Sequence, residues 1–127
     1  MKLIFYEKIG NDIAGQLIRM MRAPIEKDEV HVYRRINDLS HELAQLSNYL
    51  FLLVNIVKDR EDLVNIQEIK GLIRDMRIIV ILPDRESETV KLGHELQPRF
   101  LTFRDADVSE VSRILGKMLK LPVAQFG

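Results

Sequence analysis

Few side chains in this sequence are of a type and spacing suited to chemistry. The chain contains no Cys, which excludes disulfides, thiolate zinc sites, iron–sulfur clusters and cysteine nucleophiles. Its three histidines, His31, His41 and His94, share no metal-ligand spacing and read as surface or partly packed side chains. The five serines, Ser40, Ser47, Ser87, Ser109 and Ser112, include no G-x-S-x-G nucleophile elbow. Helix caps and helix surface account for them. Gly10, Asn11, Asp12, Ile13, Ala14 and Gly15 follow the first apolar run, where phosphate-binding loops occur. They have neither G-x-G-x-x-G spacing nor a Walker Lys, and they lack the hydroxyls a flavin-phosphate loop uses. The segment reads as a turn with a helix N-cap at Asn11 or Asp12.

The charge pattern narrows the field further. Nineteen Lys and Arg cancel nineteen Asp and Glu, which argues against a general nucleic-acid binder, because that role needs surplus positive charge. Arg19, Arg22, Arg34 and Arg35 could gather around the first helix and second strand. Acids interleave them, so a solvated face is the better reading. Apolar residues make up 46% and charged residues 30% of 127 positions, the balance of one globular domain with a core that needs no metal or disulfide. The apolar run after Met1 and Lys2 ends at Glu7 without a small-residue cleavage site, which is not a secretory pattern. No window approaches the length of a membrane-spanning helix, and a cytoplasmic chain is expected.

The elements that must position these residues are legible from their periodicity. Leu3, Ile4, Phe5 and Tyr6 form a short run typical of a strand buried on both faces. Ile13, Leu17, Met20 and Met21 then make one helical stripe of expected core residues, stopped by Pro24. Val30 and Val32 alternate with His31 and Tyr33, the pattern of an edge strand. Asn37 and Asp38 are expected to cap a helix with Leu39, Leu43 and Leu46 inside, ended by Asn48. Residues 49–54 are the strongest buried-strand signal.

The second half repeats the scheme. A helix is expected over about residues 60–75, weakened near its end by Gly71. Ile78, Ile79, Val80, Ile81 and Leu82 form a third buried run, closed by Pro83. A poorly amphipathic helix follows over about 87–96, stopped by Pro98, then a strand at Phe100, Leu101, Thr102 and Phe103. Asp107 or Ser109 opens a last helix with Val108, Val111, Leu115 and Met118 on one face, and Ile114 widens that face.

The order is βα repeated five times. Strict alternation predicts a parallel sheet covered by helices on both faces, because parallel neighbours need crossovers. The edge pattern of the second strand and the uniform runs of the first, third and fourth predict a three-layer α/β/α sandwich. Its five-stranded parallel sheet should take the order 2-1-3-4-5. Residues 1–121 are expected to form the domain and 122–127 a tail.

Five βα units of these lengths, with the second strand at an edge, resemble the receiver domain of bacterial two-component response regulators over nearly the whole chain. The resemblance rests on element order, lengths and apolar patterning. It implies a phosphoryl-accepting Asp ending the third strand and an acid pair after the first strand that holds Mg²⁺. It further implies a hydroxyl ending the fourth strand and a Lys ending the fifth. Here the acid pair reduces to Glu7. The acceptor position falls on Val54, or on Asn55 one residue later, and neither forms an acyl phosphate. The hydroxyl position falls on Leu82 or Pro83, and the Lys position on Phe103 or Arg104, where Arg does not replace a compact ammonium.

The resemblance therefore implies the fold and removes the chemistry. It predicts a pseudo-receiver: a non-catalytic signalling module with no metal and no cofactor, acting through protein contacts. The face made by the fourth helix, fifth strand and fifth helix is the expected surface for a protein partner or a homodimer, with Leu92, Phe100, Leu101 and Ile114 as its apolar residues. The alternative is a small α/β ligand-binding domain or enzyme using the carboxyl-end rim of the sheet, with Glu7, Asn55 and Asp84 as oxygen donors.

Overall fold

The computed structural model describes residues 2–8, 12–21, 29–45, 51–74 and 76–119. Several expected features lie outside the described residues: the turn at Gly10 and Asn11, Arg22, the Pro24 and Asn48 stops, Leu46, Tyr49, Leu50 and the tail. The elements are β1 (Lys2–Glu7), α1 (Ile13–Met20), β2 (Val30–Tyr33), α2 (Ile36–Gln45), β3 (Phe51–Ile56), α3 (Arg60–Glu68), β4 (Arg77–Leu82), α4 (Ser87–His94), β5 (Phe100–Phe103) and α5 (Val108–Leu119). All strand pairs are parallel, and the sheet order is β2-β1-β3-β4-β5, matching the order read from the sequence.

Each face of the sheet carries its own apolar layer. Leu3, Phe5, Leu52, Val54, Ile79 and Ile81 meet Ile13, Ala14 and Leu17 of α1 and Val111 and Leu115 of α5. Ile4, Tyr6, Leu53, Ile78, Val80 and Leu82 meet Leu39 and Leu43 of α2 and Leu63 and Ile66 of α3. Val90 and Leu92 of α4 pack half-buried on that second layer. Alternating residues of one strand thus serve opposite layers. This is why β1, β3 and β4 carry unbroken apolar runs at residues 3–6, 51–54 and 78–82, while β2, paired only to β1, leaves Val32 exposed.

The structure shifts several expected boundaries. β3 runs on through Asn55 and Ile56, which pair with Val80 and Ile81, and the Val57 amide still donates to the Ile81 carbonyl. A polar side chain interrupts an apolar run without interrupting backbone pairing. α2 begins at Ile36, so Asn37 and Asp38 sit in its first turn instead of capping it. Asp12 is the N-cap of α1, with a left-handed backbone (φ 54°) and a carboxylate that accepts from the Gly15 amide at 3.1 Å; Asp is among the few residues that tolerate this conformation. Asp107 is settled as the α5 cap, accepting from the Ser109 amide at 2.9 Å.

α3 ends at Glu68, and a separate 3₁₀ turn over Lys70–Leu72 carries the chain past Gly71. Met20, expected in the core, is exposed. The side chains that α1 buries all come from its first two turns, and a helical stripe gives the direction of a core without its extent along the axis. α4 ends at His94, short of Leu96. It buries Thr89 and Gly93, because a Cβ at Gly93 would stand 3.0 Å from the Leu82 methyls and 3.1 Å from a Leu101 methyl. Close approach of this helix to the sheet requires the missing side chain.

Candidate functional site at the strand ends

Glu7 closes β1 and is 3% exposed. Its carboxylate accepts from the Ile13 amide at 2.8 Å and the Ala14 amide at 3.0 Å, and Arg34 Nη1 lies 3.3 Å away. The same guanidinium nitrogen donates to the Glu7 carbonyl at 3.3 Å. α1 has no acidic residue in its own first turn, so Glu7 supplies from outside the helix the negative charge its N-terminus favours. Every oxygen of this carboxylate is occupied in joining β1, α1 and the end of β2.

Asn55 lies one register step away and faces the other layer. It pairs with Tyr6 and Val80, whose side chains belong to the α2–α3–α4 face, while Glu7 reaches the first turn of α1 on the opposite face. Asn55 is fully buried, and neither atom of its amide has a protein hydrogen-bond partner. Val54, the other candidate at this position, is fully buried in the α1–α5 layer.

Beside Asn55 lies a polar cluster that sequence reasoning missed. The Tyr6 hydroxyl donates to Asp62 Oδ1 at 2.9 Å, and Asp62 Oδ2 accepts from the Lys58 amide at 3.0 Å. The Asp62 amide in turn donates to Asp59, the N-cap of α3, at 2.8 Å. Burial pushes the Tyr6 phenol above its ordinary value, and the neighbouring Asp62 charge adds to the shift. Tyr6 and Asp62 are 56 positions apart, so no local spacing announces the pair.

The remaining positions are structural in their contacts. Leu82 is fully buried under α4. The Arg104 amide donates to the Leu82 carbonyl at 2.8 Å, and its guanidinium donates to the Lys58 carbonyl at 3.2 Å, tying the end of β5 to the β3–α3 loop. Arg104 also edges an apolar cavity of about 10 Å³ between α1 and α5, room for about one water molecule. Asp84 accepts from the Glu86 amide at 3.0 Å. Arg60 pairs with Glu86. Arg85 pairs with Asp105 at 2.7 Å and lies 4.0 Å over the Phe103 ring. Glu7, Asn55 and Asp84 therefore do not converge on one point. Among the described residues no group of three or more His, Asp or Glu is placed to hold a metal ion.

The apolar quartet on α4, β5 and α5 is half-buried throughout. Leu92 and Leu101 lie against the α2–α3–α4 layer and Phe100 against the α1–α5 layer. Ile114 lies on α5 between the buried Val111 and Leu115.

One recess on the rim was not anticipated. Between the ends of β1 and β2 a groove of about 580 Å³ is lined by Lys8, Arg34, Arg35, Ile36, Asn37 and Asp38. The adjacent arginines of the sequence were its only signal. Arg19 does join Arg34 around Asp12, at 3.9 and 3.4 Å.

By sheet order and by helices on both faces, the chain has the flavodoxin-like, doubly wound α/β fold. Comparisons with family models, with curated proteins and with solved structures each return no match. No helix among the described residues is long and apolar enough to cross a membrane.

Proposed function

We propose that this chain is a receiver-like interaction domain of the cytoplasm that signals by protein contact and accepts no phosphoryl group. The observation that carries the reading is Asn55. It is one of the two positions, Val54 or Asn55, on which the resemblance places the phosphoacceptor, it is an amide in place of a carboxylate, and it is fully buried on the face away from Glu7. An aspartyl phosphate needs a carboxylate nucleophile open to the incoming phosphorus and a cation beside it. Asn55 has no nucleophilic oxygen of that kind, and the carboxylate of Glu7 is spent on two α1 amides and Arg34. The docking surface in this reading is the α4–β5–α5 face, where Leu92, Phe100, Leu101 and Ile114 remain partly open to solvent.

Two experiments test it. Addition of Mg²⁺ with beryllofluoride should leave the amide resonances of Glu7 and Asn55 unmoved, and acetyl phosphate should add no phosphate to the intact mass. A localised response at these residues together with phosphate incorporation would reject the proposal. Ile114→Lys should shift a concentration-dependent dimer toward monomer in analytical ultracentrifugation. If the wild type stays monomeric at hundreds of micromolar, the homodimer form of the proposal fails and a different protein must be the partner.

A further inference from the structure

The groove between β1 and β2 has no part in that role. β2 and β5 are opposite edges of the sheet, so the groove lies far across the sheet from the α4–β5–α5 surface. The geometry points to this groove as a binding site for a small molecule carrying a phosphate group.

Its position follows from the topology. β1 is followed by α1 on one face, and β2 is followed by α2 on the other. The recess lies at the carboxyl ends of the strands, the end at which open α/β sheets hold ligands, one strand over from the β1/β3 switch point of this strand order. The recess is open to solvent, and its volume of about 580 Å³ admits a phosphate with a small organic group attached.

Its chemistry follows from three cations that come from two strand ends. Arg34 is anchored, because its guanidinium is held at 3.3 Å by the Glu7 carbonyl and carboxylate and at 3.4 Å by Asp12. A guanidinium fixed in this way loses little freedom on binding and keeps donors free for a second acceptor. Lys8 and Arg35 differ from it. Neither makes an ion pair or side-chain hydrogen bond among the described residues. Both line the same recess as Arg34, whose own charge is met by Glu7 and Asp12. Asp38 is the one carboxylate in the lining, and it sits in the first turn of α2, where it offsets the positive end of that helix. The proposal therefore rests on the side-chain cations and not on the helix terminus. A phosphate group presents three acceptor oxygens to such a set, and charge-assisted contacts of this kind are the stronger class of hydrogen bond. Ile36 supplies an apolar wall for the organic part.

The test uses pyrophosphate and orthophosphate as probes, titrated into the intact chain while amide resonances are followed. Sodium chloride at matched ionic strength is the reference. Saturable shifts are expected at Lys8, Arg35 and Ile36, with pyrophosphate bound more tightly than orthophosphate. Lys8→Ala and Arg35→Ala should each weaken pyrophosphate binding about fivefold or more, the scale of one partly solvated charge-assisted contact. Neither should change self-association, since neither lies on α4, β5 or α5. The unchanged resonances of buried core residues would show that the variants are folded. Shifts that chloride reproduces, shifts that never saturate, or variants that bind pyrophosphate as the wild type does would each overturn the proposal.

Discussion

Replacing Asn55 with Leu keeps the branched shape of the side chain, with two bulkier methyl groups, and removes an amide that has no protein partner in a fully buried place. A buried polar group left unbonded costs about 1–3 kcal/mol, and the Leu side chain adds favourable apolar contact with the Tyr6 and Val80 positions beside it. Asn55→Leu should therefore stabilise the fold by about 2 kcal/mol. With urea slopes of roughly 1–3 kcal/mol per molar for domains of this size, the unfolding midpoint should rise by about 1 M at unchanged slope. The midpoint temperature should rise by about 8 °C, at roughly 4 °C per kcal/mol. Chemical denaturation followed by circular dichroism measures the first and calorimetry the second. A destabilised Asn55→Leu would show that the amide makes a hydrogen bond worth more than its desolvation, and the reasoning would fail. Asn55→Asp should move the other way. It buries a carboxylate with no partner and should cost several kcal/mol at neutral pH. It should not restore phosphorylation by acetyl phosphate, because the new carboxylate would face away from Glu7.

Two further substitutions test the clusters on either side of the sheet. Glu7→Gln keeps one acceptor oxygen and turns an NH2 toward the second α1 amide, so it should cost about 2–3 kcal/mol and lower hydrogen-exchange protection of the Ile13 and Ala14 amides; a loss below about 1 kcal/mol would refute the clamp. Tyr6→Phe should cost about 1–2 kcal/mol at neutral pH by leaving Asp62 Oδ1 unpaired. The folded Tyr6 phenol titrates above its ordinary value of 10.0, so the unfolded chain loses this proton first. Its stabilising contribution is then complete below pH 10 and falls above it by up to about 1.4 kcal/mol per pH unit. Urea midpoints measured from pH 8 to 11 should decline more steeply for the wild type than for Tyr6→Phe, and parallel declines would contradict the assignment.

What the sequence determined was the frame. Apolar runs of strand length, separated by amphipathic stripes with caps, dictate five βα units, and chirality and edge patterning then leave one strand order. These signals are local, because each element's burial is written in its own periodicity. The loss of an acceptor carboxylate was equally legible, since neither Val54 nor Asn55 is acidic.

What only the tertiary structure decided was facing and proximity. A strand buried on both faces is apolar at every position, so its pattern carries no parity. The sequence could place Glu7 and Asn55 near each other at the strand ends without showing that one turns toward α1 and the other toward α2, α3 and α4. The Tyr6–Asp62 pair, 56 residues apart, and the groove joining Lys8 to Arg34 and Arg35 exist because parallel pairing brings distant strand ends side by side. Register is a property of two strands together, and no single stretch of chain encodes it.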